Sequence, residues 1–377
     1  MPDSALELSR RVIRLAMSRG FADAGVTPVE PSAWADELRA WLAAGKHGSM
    51  AYLAANVVER LDPAKAIAGA RSLVVVADQY WARGQDAASD GECDDPRHGK
   101  IARYASGRDY HDVVKCRLHE LCDALRGEYP GELFRAFVDT APVLEREHAA
   151  RAGLGWIGKH TLLIHPRRGS YFFLGGIATS LDLAATPERR PEPDHCGTCT
   201  RCIDACPTRA ITPHSVDASR CVSYLTIEHR GVISAEFHEA IGGWLYGCDV
   251  CQEVCPHNSA RVAASDRIDG EEADARANHA PIPAEYAEKR RSLPLLDVLN
   301  WKIEDRSRVL SGSAMKRATL AMLRRNAIIA GANTLRGEHR GAFAARLREI
   351  AGDEGEDAMV RETARQTLDR LSRTCAP

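Results

Sequence analysis

Residues 196–207 read CGTCTRCIDACP, which places Cys196, Cys199, Cys202 and Cys206 in the spacing C-x2-C-x2-C-x3-C ahead of Pro207. Three thiolates on one tight loop can face three irons of a cubane, while the fourth, on the following helical turn, points to a second cluster. A further run, GCDVCQEVCP at 247–256, offers Cys248, Cys251 and Cys255 before Pro256, and Cys221 lies alone between the two runs. Eight ligands suffice for two 4Fe-4S clusters. The crossing rule assigns Cys196, Cys199, Cys202 and Cys255 to one, and Cys206, Cys221, Cys248 and Cys251 to the other. C-x2-C pairs also serve zinc ribbons, but zinc takes four ligands per site and has no use for this longer grammar. Clusters joined by crossed ligands lie close together, which favours electron transfer over a structural staple. Cys93, Cys116, Cys122 and Cys375 have no such spacing and read as ordinary residues.

The chain around these ligands reads as regular elements. Leu6, Leu8, Val12, Ile13, Leu15 and Ala16 recur at helical spacing over 5–18, ended by Gly20, and a second helix is expected across 32–44. RSLVVVA at 71–77 is the first good strand, and the polar, aperiodic stretch 82–100 reads as a long surface loop. Residues 111–127 return to helical periodicity. FRAFVD, 134–139, is expected to be a strand ending at Asp139 and turned by Thr140-Ala141-Pro142, with further strands at 161–165 and 170–180. Strands interleaved with helices over 1–185 predict an α/β domain, within a mixed α+β/α/β class. The proline-rich, charged stretch 186–195 is a linker into a bacterial-ferredoxin-like module ending near 290. Amphipathic helices over 313–331, 341–351 and 357–373 then suggest a HEAT-like helical-repeat domain over 291–377.

Composition narrows the class. With 377 residues, 45% hydrophobic and 27% charged, the chain is long enough for two or three globular domains and excludes collagen-like or wholly disordered readings. The first twenty residues lack an apolar signal core and no window approaches 18 uninterrupted apolar residues, so no membrane partner is expected. Tightly spaced cysteines in a reducing compartment suggest a cytoplasmic location. The net charge of -2 hides a basic segment, since 301–350 carries +7. There Lys316 and Arg317, then Arg324 and Arg325, recur at a spacing that can align cations on one helix face toward phosphates; a merely solvated surface is the alternative. An electron relay needs an acceptor, yet no G-x-G-x-x-G follows a strand, so a Rossmann dinucleotide site is not supported.

The segments RYASGRDYH (103–111), VDTAPVLER (138–146), GLGWIGKHTLLI (153–164) and CVSYLTIEHRG (221–231), with the doubled cluster module, resemble the epoxyqueuosine reductase family over nearly the whole chain. The resemblance implies an enzyme dependent on cobalamin and two 4Fe-4S clusters. It would remove the epoxide oxygen of epoxyqueuosine at the wobble position of tRNA, giving queuosine, with an external electron donor and as a monomer. It also implies an N-terminal cobalamin-binding domain related to reductive dehalogenases, holding the cofactor without an Asp-x-His-x-x-Gly loop, and none occurs in the sequence. Asp139 matches the proton donor, which would need its pKa raised by burial in an apolar pocket. Arg60, Asp139 and Ser223 carry over as cobalamin contacts, with Lys159 and His160 readable equally as a solvated turn. Tyr104, Asp109, Tyr110 and His111 would shape the pocket, and Arg230 would contact the anticodon loop. The motif GKHGSMAYL (45–53) departs from the family at Ser49, where an acidic residue is usual. A ferredoxin-type electron carrier and a dehalogenase acting on a small molecule are the alternative readings.

Overall fold

The run Leu73–Val76 becomes the interior of a central strand because alternate residues are needed on opposite faces. In the computed structural model, which describes residues 4–81, 95–258, 282–287 and 290–373, this strand belongs to a four-stranded sheet. In chain order the strands are β1 (Asp23–Pro28), β2 (Ser72–Gln79), β3 (His98–Ile101), β4 (Phe134–Phe137), β5 (Trp156–Ile157), β6 (Leu163–Ile164), β7 (Phe172–Thr179), β8 (Ile211–Thr212), β9 (Ser215–Val216), β10 (Trp244–Tyr246) and β11 (Ser292–Pro294). The main sheet runs β1-β2-β7-β4. Val74 and Val76 join a core with Val12, Ile13 and Ala16 of the helix Ala5–Ser18 and with Val114, Leu118 and Leu121 of the helix Tyr110–Glu128. Leu73, Val75 and Ala77 point the other way, against Ala149, Ala152 and Leu154.

Two expectations need correction here. Every pairing in this sheet is antiparallel, with Ser72 opposite Thr179 and Phe134 opposite Thr179 on the other side. The N-terminal region is therefore α+β rather than α/β, because interleaved helices do not dictate strand direction when connections are long. The strand β1 was not anticipated at all: DAGVTP lacks the β-branched run that marks β2. Of the expected 82–100 loop, residues 82–94 lie outside the described residues, as do Cys93 and Cys375, while 98–101 form β3.

That strand ties the chain together. β3 pairs in parallel with β10 and antiparallel with β11, so one small sheet takes a strand from each of the three expected domains. The C-terminal part packs into the same core, where Ile101, Ile227 and Leu245 meet Leu295, Met322, Leu323 and Ile328. Its central helix, Leu320–Thr334, is buried nearly all round and is flanked by Gly337–Gly352 and Ala358–Arg373. The expected helix 313–331 is in fact a 3-10 turn, Ala314–Arg317, followed by this helix, with Thr319 as its N-cap. No helix among the described residues is long and apolar enough to cross a membrane.

Candidate active site

The eight motif cysteines fall into two neighbourhoods. The thiol of Cys255 senses the charges of Cys196, Cys202 and Cys199, and Cys202 those of Cys196 and Cys199. Cys221 faces Cys206, and Cys248 faces Cys251 and Cys221. Cys251 senses Cys221 and Cys206 and also Cys202, which marks where the two groups approach. Among the described residues no three His, Cys, Asp or Glu donors close on a geometry that could hold one metal ion. Burial pushes the Cys255 thiol up to about 11 and raises Cys221, Cys248 and Cys251 as well. Buried thiols gathered in this way become thiolates only when a metal compensates their charge, which fits iron-sulfur ligation.

Lys159 serves this region. Its Nζ donates to the carbonyls of Gly197 at 2.6 Å and Cys199 at 3.0 Å, so the ammonium clamps the first cysteine loop.

A second group of polar side chains gathers where β4 ends. The last ladder pair is Phe137 with Gly176, and two residues later Asp139 takes a left-handed φ of 51°. Its Oδ2 accepts from the Tyr110 hydroxyl at 2.6 Å and from His111 Nε2 at 3.2 Å. The far ring nitrogen, Nδ1, lies 2.8 Å from Asp109 Oδ1. With both ring nitrogens facing carboxylates, the imidazolium is the form that satisfies both. Burial works against that charge, but the bonds to Asp109 and Asp139 outweigh it and raise the His111 pKa to about 9. His111, followed by Tyr110, holds the Asp139 carboxyl below its ordinary range.

The expectation of a raised Asp139 pKa is thus overturned. The side chain is 60% exposed, and its two donors prevail over what desolvation there is. The raised acid is instead its neighbour Glu145, pushed up to about 7 by burial and then by the charge of Asp139. Glu145 lay inside the motif VDTAPVLER but was not singled out, because only proximity to Asp139 marks it.

The segment 47–61 packs against the helix Val222–Ile227. Gly48, at φ 58°, lies so close to Tyr224 that a Cβ there would come within 2.5 Å of the ring; with no side chain, the loop lets the backbone N–H of Ser49 donate to the Tyr224 hydroxyl at 2.7 Å. Ser49 Oγ shares that hydroxyl, also at 2.7 Å. Tyr52 nearby senses the charges of Glu228, Arg317, Asp139 and Arg60, which brings all five into one neighbourhood. Ser223 sits half-buried beside Tyr224 on the helix Val222–Ile227.

Among the buried polar atoms that have no hydrogen-bond partner among the described residues are His47 Nδ1, Arg60 Nε, Glu145 Oε1 and His160 Nε2. His160 lies beyond Arg146, whose Nη1 donates to the Thr161 carbonyl at 2.7 Å. Burial lowers the His160 pKa to about 4, so its ring is neutral and not a solvated turn. A macrocycle fringed with amide groups could satisfy such donors and acceptors, so the residues present fit cobalamin.

The four C-terminal cations do not share a helix face. Arg325 is fully buried, its guanidinium donating to the carbonyls of Leu225, His229 and Gly231 at 2.6 to 2.7 Å. Arg324 is held by Glu356 and by the Trp301 carbonyl. Both are corrected from RNA contacts to internal clamps, because Arg325 is drawn against the cluster module and Arg324 against Trp301 and Glu356 of the C-terminal part. Lys316 pairs with Asp109, and Arg317 makes two 2.9 Å hydrogen bonds to Glu228 while lying 5.7 Å over the Tyr52 ring. Arg230 is exposed.

Comparison with known proteins adds the following. Residues 195–258 match the model of a 4Fe-4S double cluster binding domain, and residues 60–140 match that of epoxyqueuosine reductase QueG, DUF1730. An epoxyqueuosine reductase of Burkholderia pseudomallei is 37% identical over 384 residues, covering 94% of this chain and 90% of the relative. One from Xanthomonas campestris is 44% identical over 253 residues, 67% of this chain and 70% of the relative. Among solved structures, a selenomethionine-labelled epoxyqueuosine reductase superposes with a TM-score of 0.82 at 27% identity, covering 98% of this chain and 91% of that one. An epoxyqueuosine reductase with an epoxyqueuosine-modified tRNA stem loop gives 0.78 at 26% identity, covering 98% of this chain and all of the other.

Proposed function

Because the chain belongs to the epoxyqueuosine reductase family, we infer that it reduces epoxyqueuosine to queuosine in tRNA, with Asp139 delivering protons to the departing oxygen. The observation that carries this reading is the carboxylate itself: the Asp139 side chain is 60% exposed and accepts from both Tyr110 and His111. Removing an epoxide oxygen as water and leaving an alkene consumes two electrons and two protons. A single carboxyl must therefore be recharged within one turnover. Asp139 rests as a carboxylate beside the imidazolium, so His111 can hand its Nε2 proton through it to the oxygen, while Tyr110 holds the carboxylate in place.

Cobalamin, when bound, supplies the strongly reducing cobalt centre that opens the C–O bond. Arg60, His160 and Ser223 are the residues of this chain that would hold it, and the two clusters would pass electrons inward from an external donor. Glu145, its pKa pushed up to about 7, is about half protonated near neutral pH and can keep a second proton close to Asp139.

For RNA, the reading favours Arg230 and the Tyr52–Arg317 pair. The ring of Tyr52 is half exposed, and the guanidinium over it is fixed by Glu228, the arrangement on which an unstacked base can rest. In this reading residues 1–185 carry the cofactor and the acid, 186–290 the clusters, and 291–377 a HEAT-like helical domain, all acting as a monomer in the cytoplasm.

The test is turnover. Protein reconstituted anaerobically with iron, sulfide and cobalamin, and reduced chemically, should convert epoxyqueuosine in a tRNA anticodon stem loop to queuosine, read by mass spectrometry of the digested nucleosides. Fully loaded protein that leaves the epoxide intact would overturn the reading. A spectrum unchanged by added cobalamin would point to a bare electron carrier.

A further inference from the structure

Asp109 is almost wholly buried, yet its two carboxylate oxygens are divided between cations from distant segments. Oδ1 meets His111 Nδ1 at 2.8 Å and also caps the helix Tyr110–Glu128, accepting from the His111 backbone N–H at 3.2 Å. Oδ2 lies 2.8 Å from Nζ of Lys316, on the 3-10 turn Ala314–Arg317. That turn is pinned in place. The backbone N–H of Asp109 donates to the Gly312 carbonyl at 2.7 Å, and Ser313 Oγ donates to the Ala105 carbonyl at 3.3 Å. A loop from the C-terminal part of the chain thus completes the surroundings of the ring that touches Asp139.

We propose that Lys316 is a positioning residue for the reduction: by sharing Asp109 with His111, it holds the ring between two carboxylates and limits how tightly the imidazolium keeps the proton that Asp139 needs. The proposal rests on the reading of Asp139 as the acid. Without the ammonium, the whole charge of Asp109 falls on His111, the imidazolium is stabilised, and its proton is released less readily. With a neutral side chain at position 109 the opposite follows. Other charged or titratable groups in this part of the molecule are Tyr110, Asp112 and Lys115 on its own helix, Tyr104 on the turn before it, and Asp139 with Glu145 and Arg146. All of these remain in the variants below, so a shift reports on Asp109 and Lys316.

The experiment follows the histidine ring resonances of the full-length, cluster-loaded protein against pH, with His111 assigned from the signal lost in His111→Gln. Lys316→Met should move the His111 midpoint up by about half a unit to one unit, allowing for the exposure of the lysine. Asp109→Asn, which keeps the helix cap, should move it down, and Lys316→Arg should restore it. In single turnover near neutral pH, Lys316→Met should be slower by about three- to tenfold, in line with that shift. Its affinity for the anticodon stem loop should be unchanged. An unmoved His111 midpoint in Lys316→Met overturns the proposal, and weaker stem-loop binding alongside it would make Lys316 a phosphate contact instead. The titration needs no turnover, so a fully active Asp139→Asn would remove the acid assignment without altering this result.

Discussion

His111 Nε2 and Asp139 Oδ2 face each other at 3.2 Å across 28 residues of sequence, one from the first turn of a helix and the other from a left-handed residue past the end of a strand. The contact joins a proton donor to an exposed carboxylate. It therefore gives the site an acid that can be reloaded.

Asp139→Asn should keep both clusters, cobalamin and tRNA affinity while losing turnover. Asn retains the shape and still accepts from Tyr110, but it cannot pass on a proton. The loss in single-turnover rate, at matched cofactor loading, should be about 10²–10⁴-fold. A rate within a few-fold of the parent would make Asp139 a turn residue.

The pH dependence follows from His111. Its proton affinity in the fold lies above its ordinary value of 6.5, so the associated stabilisation is fully present below about pH 6.5 and disappears as pH rises through about 9. The rate of epoxide reduction should fall over the same upper limb as the ring loses its proton. His111→Gln should flatten both the stability and the rate profile there, measured by denaturant midpoint and by single turnover.

Cys206→Ala should impair the cluster served by Cys221, Cys248 and Cys251 and spare the other, whereas Cys255→Ala should do the reverse although it lies in the second run. Anaerobic iron analysis should give about eight irons per parent chain and about half that in each variant. Zinc in place of iron, or equal damage to both clusters from Cys206→Ala, would refute crossed ligation.

The basic residues should separate by assay. Arg325→Ala leaves three buried carbonyls without their donor and should cost on the order of 3 kcal/mol of stability, seen as a lower denaturation midpoint. Arg230→Ala should leave stability unchanged, weaken stem-loop binding and reduce its salt slope by about one. Tyr52→Leu should weaken binding more than Tyr52→Phe, because the ring face and not the hydroxyl is proposed to meet a base.

Much of this molecule was legible from local pattern. The spacing of Cys196, Cys199, Cys202 and Cys206 is set by how one loop and one helical turn wrap a cluster, so it survives in the sequence as a motif. The helices Ala5–Ser18 and Tyr110–Glu128 and the strand β2 follow from periodicity, because burial of one face demands it. What tertiary structure alone decided are relations between distant segments. The antiparallel order of the main sheet depends on which strands meet, and β1 carries little signal of its own. Charge counting read Arg324 and Arg325 as a surface, but packing turned both into clamps, Arg325 onto the cluster module and Arg324 within the C-terminal part. Asp109, His111, Asp139 and Lys316 span more than 200 positions, and only folding makes them one chain of charges. Proton affinity depends on the distance to other charges, a quantity that residue identity and spacing do not contain.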